Sequence, residues 1–273
     1  MKSLFNTVGG GGILGLLSFY FKGCKKNKSC YNGDITHHYY NEVLNMKKAF
    51  TLAEVLVTLG IIGVVSAMTV PSLMQNHQRK TYVTQLHKVY NEMQQALLQY
   101  QTDRNAVNLK EAGLNSKARV EAFFNEYFKV VQTCGGVAAP CFSTSYKNIN
   151  GDAVSINTGW GGGNCAVMSS GASICMDYPY QYSGSYGQVF IDINGSQGPN
   201  ILGRDAFYLA VFYDGVLDVS GADINCRTNG VCGTEGASLK DVRGTAEACK
   251  ASENSNAHSC FGQILNDNWE MNY

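Results

Sequence analysis

"KKAFTLAEVLVTLGIIGVVSAMTVP", residues 47–71, decides how the rest of the chain is read. From Ala49 to Val70 its only ionisable side chain is Glu54. About 20 apolar residues in a helix span the hydrocarbon core of a bilayer. An acidic residue at the centre of such a helix costs about 2.5–3.5 kcal/mol on insertion scales. Glu54 therefore asks for a compensating role.

Lys47 and Lys48 precede the run, and Arg79 and Lys80 are the next cations after it. The positive-inside rule puts the lysines in the cytoplasm and the chain after Pro71 outside. A cleaved secretory signal has a shorter apolar core and a small-x-small site. Here the run is longer and continues into a second pattern, which predicts a retained segment. Tyr82, Leu86, Val89, Met93, Leu97 and Tyr100 recur at steps of three and four, an amphipathic helical stripe. Gln85, Lys88, Asn91, Glu92, Gln95 and Gln99 fill the other faces. The expectation is one helix from Phe50 to about residue 103. Residues 50–71 would lie in lipid, and residues 72–103 would pack one face on a head domain. Pro71, Gly60 and Gly63 are its weak points.

The 273-residue chain has no formal net charge, but the charge is unevenly divided. Residues 1–49 hold 7 Lys and Arg against 2 Asp and Glu, which leaves 14 against 19 in residues 50–273. A mildly acidic body argues against nucleic acid as the main partner. Thirty glycines, four prolines and sixteen tyrosines suit a turn-rich β region.

Residues 104–273 form the expected head. "NSKARVEAFFNEYFKVV" reads as a helix with Val120, Phe123, Phe124, Tyr127 and Val131 on one face, capped by Asn115 or Ser116. Strands are predicted at 152–156, 165–169, 173–178, 188–193 and 207–213. Asp214-Gly215 then turns into a strand at 216–220. "FGQIL" (261–265) and "WEM" (269–271) around Asn266-Asp267-Asn268 read as a further hairpin. The class is α+β: a long N-terminal helix packed on a small antiparallel sheet.

The segment 47–71 resembles the N-terminus of type IV prepilins and type II secretion pseudopilins. The resemblance implies cleavage by a prepilin peptidase between Ala49 and Phe50 and N-methylation of Phe50. Glycine is usual before that cut, and Ala49 stands there instead. The family carries a glutamate at the fifth mature position, here Glu54, and often a proline at the twenty-second, here Pro71. In a filament of staggered helices, Glu54 would neutralise the α-amino group of Phe50 on a neighbour. The plainer alternative is that Glu54 snorkels to the cytoplasmic interface. The implied partners are the peptidase, other pilin or pseudopilin subunits and an inner-membrane assembly platform. No enzymatic activity is implied. "FIDINGSQGPNILGRDAFYLAVFYDG" (190–215) is similar to the strand–loop–strand element of pseudopilin-like proteins.

A 49-residue leader is long for such a protein, whereas MKKA, residues 46–49, is a plausible short one. Residues 1–45 are expected to be either a translated upstream extension before a start at Met46 or a long leader. Glu42-Val43 can be encoded GAG-GTN, which resembles a ribosome-binding site.

Eight cysteines follow the apolar run, an even number in a segment placed outside the cytoplasm. They allow 105 connectivities. Neighbour pairing gives Cys134–Cys141, Cys165–Cys175, Cys226–Cys232 and Cys249–Cys260. The resemblance favours the last, because many pilins close a C-terminal loop this way. Asp192, Asn194 and Asp205 offer oxygen ligands in the region where some pseudopilins hold calcium. Gly203 stands where an EF-hand would need glutamate, so a hydrogen-bonded turn is the favoured reading and no cofactor is expected. His258 reads as a loop histidine beside a disulfide. "GWGGG" (159–163) lacks the Lys-Ser/Thr of a phosphate loop. A second class of function is an adhesive minor subunit, with "DYPYQYSGSYG" (177–187) contacting a glycan.

Overall fold

A computed structural model of the chain describes residues 50–154, 156, 163–177, 184–233, 236–250 and 257–273. The expected leader and extension lie outside these residues.

Helix α1 spans Leu52–Asp103. Every side chain from Phe50 to Thr81 is exposed, and burial starts at Val83. Val83, Leu86, Val89, Met93, Ala96, Leu97 and Tyr100 then form one buried stripe. The 3.6-residue period brings these side chains to one face. The helix continues through Pro71, whose ring nitrogen has no proton to give the Ala67 carbonyl.

The sheet has the order β1-β4-β5-β6-β7-β8, all antiparallel. These are β1 (Val130–Gly135), β4 (Asn164–Met168), β5 (Ser173–Met176), β6 (Gly187–Asp192), β7 (Ala206–Val211) and β8 (Leu217–Asp218). Two ribbons accompany it: β2 (Tyr146–Lys147) with β3 (Ala153–Val154), and β9 (Val231–Cys232) with β10 (Ala237–Ser238). Strand side chains alternate between faces. Ile174, Met176, Val189, Ile191, Leu209 and Val211 share one core with the α1 stripe and with Val120, Phe123 and Phe124 of α2 (Lys117–Tyr127). Cys175, Phe190 and Tyr208 point the other way, into a second core with Phe142, Tyr146 and Leu202. Both faces are covered, so β6 and β7 are apolar nearly throughout.

Polar clamps fix α1 on this sheet. The Gln94 side chain donates to the Gly215 carbonyl at 2.8 Å and accepts from the Leu217 amide at 3.0 Å. Gly215 turns the β7–β8 hairpin at φ 80°, and a side chain there would strike Gln101. At the helix end, Arg104 lies 3.6 Å over the Tyr100 ring and reaches Tyr127 Oη and Glu126. Ser116 caps α2 by accepting from the Arg119 amide, as its sequence position suggests.

Two expectations need correction. Val131 is not on the α2 face: it lies in β1 and is 69% exposed. "FGQIL" is not a strand. It belongs to α6 (Ala257–Asn266), the last of four short helices after β8 with α3 (Ile224–Asn229), α4 (Leu239–Arg243) and α5 (Ala246–Lys250). Asn266-Asp267-Asn268 ends that helix rather than turning a hairpin. Asn268 and Trp269 take left-handed backbone at φ 54° and 64°, and the Trp269 amide donates to the Ile264 carbonyl at 2.8 Å. Asparagine serves helix C-termini and hairpin turns for the same reason, its tolerance of positive φ. Trp269 holds this unfavourable conformation while stacked on His87, with ring centroids 4.0 Å apart.

Candidate functional site

The site begins at the start of α1. Thr51 is the last non-helical residue, and its Oγ1 accepts from the Glu54 amide at 3.2 Å. Glu54 Oε2 accepts from the Thr51 amide at 2.8 Å and from Thr51 Oγ1 at 3.0 Å. This reciprocal pair is a capping box. It satisfies amides that a helix start leaves without partners, and it places negative charge at the positive end of the helix dipole. Glu54 Oε1 makes no hydrogen bond among the described residues. Among the described residues, then, one oxygen fixes the helix start and the other takes no donor. Phe50 lies just before the cap and is 86% exposed. Apolar side chains surround the carboxylate along the helix, from Leu52 through Val55 and Leu56, all exposed.

The capping role is absent from the sequence-based expectation. Its signal is Thr-x-x-Glu at 51–54, directly before an apolar run. Neither snorkelling nor pairing with a neighbour describes what this carboxylate does within its own chain.

The eight head cysteines form four disulfides between sequence neighbours: Cys134–Cys141, Cys165–Cys175, Cys226–Cys232 and Cys249–Cys260. Cys165 and Cys175 face each other across β4 and β5. Cys249–Cys260 joins α5 to α6, 11 residues apart. A loop of this size contributes about 3 kcal/mol in the chain-entropy account. Cys260 also packs against Gly203, whose φ of 84° leaves no room for a side chain. The double variant Cys249→Ser/Cys260→Ser is expected to lose roughly this much stability in denaturant titration. A midpoint equal to that of the wild type would contradict it.

Asp192, Asn194 and Asp205 come together in the β6–β7 connection. Asp192 Oδ2 accepts from the buried Tyr146 hydroxyl at 2.5 Å, and Oδ1 from the Asn194 amide at 3.2 Å. Asp205 accepts from the Asn200 amide at 2.8 Å and the Ile201 amide at 2.6 Å. All four carboxylate oxygens already take a proton donor of the chain. The amide oxygens Asn194 Oδ1 and Asn200 Oδ1 are buried without a donor. The described residues hold no group of three His, Cys, Asp or Glu that could bind a metal. These hydrogen bonds close the β6–β7 connection through backbone amides and the Tyr146 hydroxyl. Burial pushes the Asp192 carboxyl up to about 8. Donation from Tyr146 opposes that rise, and the nearby Asp205 carboxyl adds to it.

Other expected candidates fall apart. His87 is a stacking partner on α1. His258 lies in α6, not in a loop. Residues 159–162 and 178–183 lie outside the described residues. Of the tyrosine-rich stretch, Tyr186 is buried and donates to the Leu114 carbonyl at 2.6 Å. It is a core residue and not a contact for a glycan.

Residues 44–70 match the model of the prokaryotic N-terminal methylation motif. The chain thus carries a prepilin-type motif. It is also 27% identical over 126 residues to prepilin peptidase-dependent protein D of Escherichia coli (strain K12), an alignment covering 44% of this chain and 79% of that protein. No solved structure matches the chain. Among the described residues, one helix, α1, is long and apolar enough to cross a membrane. Motif and relative together support a pilin-like or pseudopilin-like protein, and among the described residues α1 is its candidate membrane anchor.

Proposed function

We propose that this chain is a structural subunit of a type II secretion or type IV pilus-like filament. A prepilin peptidase cuts between Ala49 and Phe50 on the cytoplasmic side and methylates Phe50. The helix from Leu52 holds the subunit in the membrane, with the head outside, until an inner-membrane platform moves it into a bundle of like helices. The subunit acts by packing and not by catalysis, and it needs no cofactor. The observation that carries this reading is the capped helix start, with Glu54 Oε1, four residues from Phe50, taking no donor among the described residues. A carboxylate so placed can keep its cap and still pair with the α-amino group of a neighbouring subunit. That pairing offsets the cost of two charges in lipid.

Mass spectrometry of the protein extracted from membranes tests the processing step. The expected N-terminus is N-methylated Phe50. A mature chain starting at Met46 or earlier, in cells with an active prepilin peptidase, would refute it.

A further inference from the structure

An open groove of about 450 Å³ lies between α1 and the C-terminal segment. Asn76, Arg79 and Lys80 line one wall, and Trp269, Glu270 and Asn272 line the other. Asn76, Arg79 and Lys80 stand three and four residues apart, so they share one helix face. Arg79 and Lys80 are exposed and form no ion pair among the described residues. Glu270 is the one acid in the groove, and its Oε2 accepts from Asn272 at 3.2 Å. Two cations thus face a single carboxylate that bonds elsewhere.

The height of the groove decides what it meets. Leu73 and Met74 are exposed apolar side chains on α1. Pro71 ends the run read as lying in lipid, and Arg79 follows it by eight residues, a rise of about 12 Å. The polar layer flanking the hydrocarbon core is about 5–8 Å deep on each side. The backbone of the basic pair therefore stands just outside the polar layer when residues 50–71 are in the bilayer, and its long side chains reach back to the headgroups.

We infer that this groove binds the phosphate of an anionic phospholipid headgroup, with Arg79 and Lys80 as the charge partners and Asn76 as a neutral donor. The site would hold the head against the membrane surface while the subunit waits for assembly. The inference rests on the membrane-anchored reading above. Two basic groups near an anionic surface, partly opposed by Glu270, give a preference of about tenfold over a zwitterionic lipid.

The test is native mass spectrometry of the full-length chain, extracted in non-ionic detergent and offered equal amounts of phosphatidylglycerol and phosphatidylcholine. The wild type is expected to retain phosphatidylglycerol about tenfold over phosphatidylcholine. Arg79→Gln/Lys80→Gln should bring the ratio near one, and Glu270→Gln should raise it. All three side chains are exposed, so the variants leave the core intact. A wild-type ratio near one, or a double variant that keeps the preference, would overturn the headgroup site while leaving the anchor standing. Displacement of the lipid by millimolar sodium phosphate would mark a free-anion site and overturn the lipid assignment. Recovery of the chain without detergent would overturn the anchor and the site together.

Discussion

Glu54→Ala is expected to enter the membrane and be cleaved like the wild type, yet to be nearly absent from filaments. Insertion improves if anything, because the apolar run loses its charge. The proposed cut lies four residues upstream and keeps its flanking residues. Assembly loses the partner of the Phe50 amino group inside the bundle. Removing one member of a buried ion pair costs about 3–5 kcal/mol. Each 1.4 kcal/mol is about tenfold, so even the low end shifts incorporation by more than a hundredfold. Part of the loss is local, since a missing cap costs about 1 kcal/mol. Glu54→Gln separates the two contributions. The amide oxygen can still accept from Thr51, but it carries no charge. It should fail almost as badly as alanine if the pair dominates. Glu54→Asp should fall between alanine and wild type, because its carboxylate reaches less far. Co-expression of wild-type and variant chains, followed by shearing and counting each in the filament fraction, gives the answer. Equal incorporation of alanine and wild type would show that Glu54 serves only its own helix.

The second large effect concerns pH. Folded Asp192 keeps its proton up to about pH 8, whereas an unburied aspartate releases it near 3.8. Between these values the folded chain binds more protons than the unfolded one. Stability therefore falls as pH rises from about 4, and the loss is complete above about 8. A tenfold difference in proton affinity between the folded and unfolded chains is worth about 1.36 kcal/mol, so the whole change is on the order of 5 kcal/mol. Burial of Asp205 pushes its carboxyl in the same direction. Asp192→Asn keeps an acceptor for Tyr146 and has no charge to bury. It should flatten most of the slope and exceed the wild type in stability at pH 8. Denaturant titrations at pH 5 and pH 8 measure this, and equal slopes in the two proteins would exclude it. Because the carboxylate oxygens are committed to donors of the chain, the slope should be the same in millimolar calcium and in chelator. A clear stabilisation by calcium would show that the loop is a cation site after all.

Legibility followed periodicity. The α1 stripe was readable because its apolar residues repeat over many turns, and only a helix brings them to one face. Strands β6 and β7 were readable from apolar runs bounded by Asn194-Gly195 and Asp214-Gly215. The lobe after β8 was not. Its helices α3, α4 and α5 are five or six residues long, too short to show a repeat. "FGQIL" suits strand or helix alone. The deciding fact is three-dimensional: Gly262 packs against the backbone of Arg243, where a side chain would collide. At the candidate site, the position of Glu54 was plain from spacing. Its capping bond with Thr51 is also written in the residues.

The four disulfides among the described residues are all local, with partners 6 to 11 residues apart. None crosses from the helix to the sheet or ties the two ends of the head together. The global arrangement must therefore be held by the two apolar cores, while the covalent links tighten individual loops. This bears on biogenesis. If the head crosses the membrane as proposed, from its N-terminal end, each cysteine emerges shortly before its mate. Oxidation in order of emergence then yields the native pairing without reshuffling, because no thiol has to wait for a distant part of the chain.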